Sequence, residues 1–263
     1  TIFVLPNEIM LIIFQYLQNA TKLNILPYVC SRWRMICRTM IFELNISQLQ
    51  TDIYHMFSMI EIFKNVNSLI IDRNTLSHLD RFPLYRRFSK ITKLSYFGNK
   101  HDYGLRNIAA MLFLYFKELT SIKIEFSYFS TRDLEAIIVS NSNITSINLW
   151  YTQVKMSEFT TFIKLGYLTS LKKLKYNSEY FLRYRYVDVE KHVCDEFFIA
   201  ISMHCPNIEW LDVRNTGITN EGLMSLSECK KLQHLNIMES YRLFKKNVKS
   251  LNKKLPNTHI IFK

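Results

Sequence analysis

The sequence predicts an α/β chain in which a short helical N-terminal module precedes a solenoid, with a curved parallel sheet and helices outside it. Three observations predict this fold class. An apolar spacing recurs along most of the chain, helix-like runs lie between its copies, and the first forty residues do not share it. Since one strand and helix cannot bury their apolar faces alone, the repeated units must stack on one another.

The recurring spacing is apolar-x-x-apolar-x-apolar, which is typical of a strand that turns alternate side chains inward. The central apolar residues of its copies are Leu44, Leu69, Leu94, Ile122, Ile147, Leu174, Leu211, Leu235 and, in a weaker copy, Ile261. Seven of the eight steps between these centres are 24 to 28 residues long. Leucine-rich repeats are ~20 to 29 residues long, so the spacing predicts about eight to nine such repeats over residues 41–263.

A second position of the repeat supports this interpretation. Five residues after most centres stands a small polar side chain that can hydrogen-bond the backbone as it leaves the sheet, namely Asn74, Asn99, Ser127, Thr152, Thr216 or Ser240. Helix-like runs between the strands begin near Asp133, Ser157, Asp195 and Asn220, residue types that helix N-termini prefer. We therefore expect a helix in these connections.

The first forty residues form a separate module. Pro6 and Glu8 suit the first turn of a helix, because proline lacks an N–H that would go unpaired there and glutamate faces the positive end of the helix dipole. We expect this helix to run from about Pro6 to Leu17. Residues 9–14 are all apolar, so the helix is apolar on nearly every side and needs cover that so small a module cannot supply.

This module resembles an F-box. The family pattern is Leu-Pro-x-Glu, an apolar helix ending Ile-Phe-x-x-Leu, and then Val-Cys-x-x-Trp; it is met by Leu5, Pro6, Glu8, Ile13, Phe14, Leu17, Val29, Cys30 and Trp33. The resemblance covers roughly residues 3–42 and implies a three-helix F-box at residues 1–40, followed by leucine-rich repeats. Pro27 departs from the pattern, since a proline inside the second helix ends it early or costs ~3 kcal/mol.

The resemblance implies a non-catalytic substrate receptor of an SCF-type ubiquitin ligase. Such a chain docks a Skp-family adaptor, and through it cullin and RING subunits, and presents a protein substrate for ubiquitin conjugation and proteasomal degradation. The residues that it implies for the adaptor are Leu5, Pro6, Glu8, Ile9, Ile13, Phe14, Leu17, Val29 and Cys30, while Trp33 packs inside the module. A helical cap for the solenoid is the alternative for this segment.

The charge of the chain bears on its partners. The formal net charge is +12 and the isoelectric point is near 9.4, which favours an acidic partner, such as an acidic or phosphorylated protein substrate. A basic nucleic-acid-binding protein and a non-degradative scaffold are the alternative functions, with nucleic acid ranked below a protein partner. A basic exterior that only aids solubility explains the charge equally well. We expect no membrane partner, because no stretch is long and apolar enough to span a bilayer.

Candidate substrate-binding residues flank the buried strand residues, because strand side chains alternate between two faces. They are Phe97, Lys123, Trp150, Lys175, Trp210, Asp212, Arg214 and His234. The longest step, from Leu174 to Leu211, contains an insertion near residues 177–191. Its stacking and phosphate-pairing side chains, Arg183, Tyr184, Arg185 and Tyr186, complete the candidates.

We predict neither catalytic residues nor cofactors nor a metal site, since the common nucleotide-binding, hydrolase and zinc-protease motifs are absent from the sequence. The spacing of His192, Cys194, His204 and Cys205 matches no standard zinc site. The chain has five Cys and no Cys-x-x-Cys pair. This usage predicts reduced thiols and a cytoplasmic or nuclear location, or both.

Overall fold

The computed structural model describes residues 5–17, 25–39, 42–45, 65–72, 90–98, 116–178, 191–240 and 242–262. The chain divides into two units, Thr1–Tyr96 and Phe97–Lys263. The fold class is confirmed: helices come first, and parallel strands with helices between them follow. The domain boundary near residue 40 stays a prediction.

Three helices open the first unit: α1 (Asn7–Tyr16), α2 (Leu26–Val29) and α3 (Ser31–Thr39). The first lies within one residue of its predicted bounds, with Glu8 in its first turn. The second is only four residues long and has Pro27 in its first turn, where the missing N–H breaks no helical hydrogen bond. The proline therefore stands at the start of the second helix rather than inside it, and the cost expected from the sequence does not arise.

Strands follow at the predicted positions. In the first unit β1 (Phe42–Asn45) pairs in parallel with β2 (Val66–Asp72), and Leu44 lies opposite Leu69. Strand β3 (Lys93–Phe97) spans the division between the units.

Six further strands belong to the second unit: β4 (Ser121–Glu125), β5 (Ser146–Thr152), β6 (Lys173–Ser178), β7 (Trp210–Asp212), β8 (His234–Asn236) and β9 (His259–Ile261). Each pairs in parallel with the next one along the chain. The repeat centres lie side by side; Leu174, for example, is opposite both Ile147 and Leu211. One predicted centre is wrong, because the residue opposite Leu235 is Ile260 rather than Ile261.

Helices occupy the connections of the second unit: α4 (Thr131–Ser140), α5 (Met156–Lys164), α6 (Lys191–His204), α7 (Asn220–Ser225) and α8 (Lys245–Lys254), with a 3-10 turn at Leu226–Glu228. The sequence predicts the first four and misses the last. Rings of Phe159, Tyr176 and Phe197 meet beneath the sheet with centroids 5.7 to 5.8 Å apart. The buried Tyr176 hydroxyl donates a hydrogen bond to the Val154 carbonyl at 2.7 Å.

Two residue positions recur where the chain turns away from the strands. The small polar residues Ser127, Thr152, Thr216 and Ser240 are buried, as the repeat predicts; Asn74 and Asn99 lie outside the described residues. Directly before these four stand the left-handed residues Phe126, Tyr151, Asn215 and Glu239, with φ of 53 to 61°. Left-handed backbone strains residues with a Cβ, so the turn out of the sheet carries a cost that recurs from repeat to repeat.

No helix in the segments that the structure describes has both the length and the apolar character needed to cross a membrane.

Candidate docking surfaces

A polar and aromatic surface runs along one face of the second unit, which we call the strand face. It consists of the outward side chains of the strands and their ends, namely Phe97, Lys123, Glu125, Asn148, Trp150, Lys175, Asn177, Trp210, Asp212, Arg214, His234 and His259. At one end the Lys123 ammonium lies 4.5 Å from the centre of the Phe97 ring, a cation–π distance.

Glu125 is the charge centre of this end of the strand face. Its carboxylate is 3.3 Å from Lys123 and 4.0 Å from Lys175, and it accepts a 2.8 Å hydrogen bond from the Asn148 amide. Glu125 is only 8% exposed, so two cations and an amide offset the cost of burying its charge. The two lysines are therefore held by a carboxylate of their own chain.

Trp150 forms the middle of the strand face and carries two cations. Lys175 Nζ lies 4.1 Å and the Arg214 guanidinium 4.5 Å from the centre of its ring. Arg214 also donates two hydrogen bonds of 2.9 Å to the buried carboxylate of Asp212. Because this pair is bidentate, it fixes the guanidinium in place, and a ligand here would meet side chains that are already ordered.

The other end of the strand face is a row of rings. Trp210 and His234 stack at 4.9 Å with an interplanar angle of 11°, and His259 lies 5.7 Å beyond His234. Burial lowers the pKa of His234, and the neighbouring His259 lowers it further, while Asp212 acts in the opposite direction. The row therefore favours a neutral His234 imidazole.

Strained backbone adjoins the middle of the strand face. The rings of the left-handed residues Phe126 and Tyr151 stack at 5.0 Å, and Trp150 meets Tyr151 edge to face at 5.4 Å. The same left-handed conformation recurs after two further strands, so it belongs to the turn out of the sheet in each repeat. Two buried amide oxygens also lie here, Asn148 Oδ1 and Asn177 Oδ1, and neither has a hydrogen-bond partner in the described part of the chain.

The structure thus brings together Phe97, Lys123, Trp150, Lys175, Asp212 and Arg214 between one end and the middle of the strand face, and Trp210 and His234 at the other end. The insertion residues Arg183, Tyr184, Arg185 and Tyr186 lie outside the described residues. Sequence reasoning missed Glu125 as the group that holds two of the predicted lysines. Its position on the outward face of β4 was the available signal.

A second surface lies on the helices α1 to α3. Its interior is formed by Phe14 and Trp33, whose rings meet edge to face at 4.9 Å, together with Met10, Leu26 and Ile36. Arg32 ties the first helix to the third, since its guanidinium donates to the Asn7 side chain at 2.9 Å and to the Leu5 carbonyl. These contacts leave a set of large apolar side chains outside, which we call the apolar surface. They are Ile9, Ile12, Tyr16, Ile25, Tyr28, Val29 and Met35, each at least 43% exposed.

Comparison with known proteins bears on this helical segment. Residues 2–42 match the family model described as F-box-like. The N-terminal segment is an F-box-like domain. No curated protein matches the chain. Among solved structures, the chain is similar to one described as the crystal structure of a Rad7 and Elc1 complex in yeast, with 12% identity, a TM-score of 0.46, and coverage of 97% of this chain and 87% of that one.

The predicted adaptor-binding residues occupy three environments in the F-box-like domain. Pro6, Glu8, Ile9 and Val29 are exposed; Leu5, Ile13, Leu17 and Cys30 are half-buried. Phe14 is buried against Trp33, so in this structure it supports the domain from inside rather than facing solvent. Trp33 packs within the domain, as the resemblance implies.

Five members of the apolar surface, Ile12, Tyr16, Ile25, Tyr28 and Met35, escaped the sequence reasoning. The helical period holds a signal for two of them, because Ile9, Ile12 and Tyr16 lie on one stripe of α1 while Met10 and Phe14 lie on another. A continuous apolar run hides which stripe faces inward.

Three buried thiols of the second unit are poor nucleophiles. Burial raises the pKa of Cys205 and of Cys229 to about 12, and it also raises the pKa of Cys194. A raised pKa disfavours the thiolate that binds metals and attacks electrophiles. Within the described segments, no three His, Cys, Asp or Glu side chains are grouped as metal ligands.

Proposed function

We propose that this chain is the substrate-recognition subunit of an SCF-type ubiquitin ligase. Its F-box-like domain docks a Skp-family adaptor, and through it cullin and RING subunits, while leucine-rich repeats in the strand and helix region hold a protein substrate. The chain works by proximity, without a catalytic residue or cofactor of its own. One observation carries the proposal: an F-box-like domain exposes seven large apolar side chains.

Exposure of these side chains to solvent costs free energy. Large apolar side chains gain roughly 1.5–3 kcal/mol each when they are fully buried. Exposed apolar patches of soluble proteins mark interaction sites. A partner that covers Ile9, Ile12 and Val29 recovers this free energy. These side chains need no rearrangement, because Arg32 ties α1 to α3 and the Arg34 guanidinium on α3 donates to a carbonyl of α2 at 3.0 Å.

The test measures adaptor binding by the full chain. We expect the wild type to bind a purified Skp-family adaptor and the double variant Ile9→Glu/Val29→Glu to bind at least ~30-fold more weakly, the effect of losing one interface hot spot. Both residues are 43% exposed, so the variant keeps its fold. The matched control is Val139→Glu/Leu165→Glu, which places two charges at exposed apolar positions of the second unit. Undetectable wild-type binding, or equal losses in both variants with unchanged circular dichroism, contradicts the proposal.

For the substrate, we propose the strand face and an acidic or phosphorylated segment. Support comes from Trp150, whose ring is ordered by two cations. The exposed Lys173, which lies opposite Trp210 in the register, adds a further positive charge to the strands. An array of phosphorylated peptides and their unmodified counterparts provides the probe. We expect phosphate-dependent binding that Trp150→Ala removes; equal binding of both peptide sets contradicts this substrate class.

A non-degradative scaffold is the second candidate. It shares adaptor binding and differs in the outcome of a reconstituted ubiquitination reaction, where a receptor directs ubiquitin to a bound peptide and a scaffold does not. We also propose a cytoplasmic or nuclear location, or both, supported by five cysteines that are all free thiols.

A further inference from the structure

The positive charge of the chain is concentrated near its C-terminus. Residues 240–263 contain six Lys and one Arg and neither Asp nor Glu, so this short segment carries +7 of the formal net charge of +12. Five of these lysines belong to α8, a helix of ten residues. Neither the apolar surface nor the strand face includes any of these lysines.

The structure places four of these five lysines on the outer face of α8. Leu251 is fully buried and Leu255 is 5% exposed, which turns the apolar side of the helix toward the protein. At about 100° per residue, four lysines fall within an arc of about 100° on the opposite side. They are Lys245, Lys246, Lys249 and Lys253, and all four are exposed. We call these four side chains the lysine face.

The positive charge of the lysine face is not neutralised by neighbouring carboxylates in the described residues. Elsewhere in the second unit, Lys155, Lys164 and Lys172 lie 3.1 to 3.5 Å from the carboxylates of Glu158, Glu196 and Glu209. By contrast, no lysine of α8 forms an ion pair in the part of the chain that the structure describes. The repulsion among these lysines is therefore not offset by nearby acids.

The position of the lysines also disfavours the helix. Lys245 and Lys246 stand in the first turn of α8, which contains no acidic residue. Cations at a helix N-terminus oppose the helix dipole and cost about 0.3–1 kcal/mol each. Residues that destabilise a helix locally, without stabilising the fold in another way, are expected at functional sites. The lysine face is therefore better explained by a ligand than by stability.

The residue type of the lysine face indicates which class of anionic partner it fits. Protein interfaces are depleted of lysine and enriched in arginine and aromatic residues, so an all-lysine face fits a protein partner poorly. Membrane-bound amphipathic helices insert an apolar side, whereas the apolar side of α8 is buried in the protein. A nucleic acid presents a dense row of phosphates that point charges can follow without geometric matching.

We propose that the lysine face of α8 binds the phosphate backbone of a nucleic acid, without reading its base sequence. Lys245, Lys249 and Lys253 are each four residues apart, so they form a row with steps of about 6 Å along the helix. Binding draws its free energy from the release of counterions condensed on the phosphates. The lysine face shares no residue with the F-box-like domain, so an adaptor and a nucleic acid are bound through different residues.

The experiment measures the anisotropy of a labelled duplex DNA of 20 base pairs against the full chain over a series of KCl concentrations. With about four phosphates neutralised, we expect the logarithm of the association constant to fall against the logarithm of salt concentration with a slope near −3.6. The variant Lys245→Gln/Lys249→Gln/Lys253→Gln should reduce the slope by about 3 units.

A matched control removes the same charge elsewhere. Lys155→Gln/Lys164→Gln/Lys172→Gln replaces three lysines that are already paired with carboxylates. We expect this variant to keep the salt dependence of the wild type. Equal slopes in the wild type and the α8 variant overturn the proposal, because the lysines of α8 then do not contact the phosphates. Equal reductions of the slope in both variants also overturn it, because binding then depends only on the net charge of the chain.

Two competing ligands test the partner class. Vesicles of anionic phospholipid and a poly-glutamate peptide are each compared with the duplex at equal total charge. Tighter binding of either one overturns the assignment to nucleic acid in favour of a membrane or an acidic protein. The α8 variant should retain adaptor binding, so a failure here leaves the proposed function untouched.

Discussion

The carboxylate of Asp195 fills the space into which a Cβ on Gly222 would project. An ideal Cβ at Gly222 would lie 2.5 Å from Asp195 Oδ1, too close for real atoms. The same carboxylate accepts hydrogen bonds from the Thr219 backbone N–H at 2.8 Å and from the Thr219 hydroxyl at 2.5 Å. Asp195 on α6 thus fixes the start of α7, and a glycine one turn into α7 makes room for it.

Gly222→Ala should therefore destabilise the protein, although alanine is favoured over glycine in a helix by about 1 kcal/mol. The clash displaces the buried Asp195 and its two hydrogen bonds, and we expect the free energy of unfolding to fall by about 1–2 kcal/mol overall. Urea denaturation measures it. Ser250→Ala on the exposed side of α8 is the control and should be neutral or slightly stabilising. A Gly222→Ala variant more stable than wild type would show that Asp195 does not depend on this space.

Asn141, at the end of α4, links this helix to the segment that leads into β4. Its side-chain oxygen accepts the Leu119 N–H at 2.8 Å and its amide donates to the Ile137 carbonyl at 2.9 Å, both buried. Asn141→Ala leaves a buried N–H unpaired, which we expect to cost about 2–3 kcal/mol. The exposed Asn143, two residues away, should tolerate Asn143→Ala within about 0.5 kcal/mol in the same denaturation experiment. Similar losses in both variants would contradict the role of this side chain.

Thiol labelling should separate one cysteine from the other four. Cys37, Cys194, Cys205 and Cys229 are buried, and burial raises the pKa of Cys37 to about 11. Cys30 is half-buried. In the native protein at pH 7.5 we therefore expect iodoacetamide to label Cys30 first, with slow labelling elsewhere, as mass spectrometry of peptides would report. All five should react in denaturant. Native labelling of Cys205 as fast as that of Cys30 would be inconsistent with this packing.

The pKa of His234 predicts a dependence of stability on pH. Since its pKa in the folded protein lies below the ordinary value of 6.5, the unfolded chain binds more protons near that pH. The resulting stability is fully present above about pH 6.5 and is lost as the pH falls. His234→Phe keeps a ring beside Trp210 and should flatten the change in urea midpoint between pH 7 and 5.5. His259→Phe should flatten it only in part, because the burial of His234 remains. An unchanged profile in His234→Phe would assign the pH dependence to other groups.

Much of the fold could be predicted from the sequence, because the strand pattern depends on local alternation of apolar residues. The ninth strand shows where this fails. Ile260 and Ile261 are both apolar and half-buried, so only pairing with Leu235 decides between them. Helix α8 was missed because five of its ten residues are lysines and few apolar residues mark its period. The apolar side of this helix is recognisable only in the folded protein, where it packs against the rest of the second unit.

The candidate surfaces were predictable in outline only. Alternation placed Lys123, Lys175 and Trp150 on one face. Lys123 meets Glu125 within its own strand, whereas Lys175 meets Glu125 and Trp150 from a strand that is distant in the sequence. A single sequence does not reveal that Glu125 holds both lysines. The left-handed conformation of Phe126 and Tyr151 was also not predictable, since aromatic residues give no local preference for it.

The register of the sheet has a consequence for how such a protein changes over time. Leu174 and Leu211 are opposite each other although 37 residues separate them, while Leu211 and Leu235 achieve the same alignment across 24 residues. The length of a connection is thus decoupled from the alignment of the strands it joins. Segments can be gained or lost on one side of the molecule without moving the residues that face a ligand on the other, so specificity and architecture are free to diverge independently.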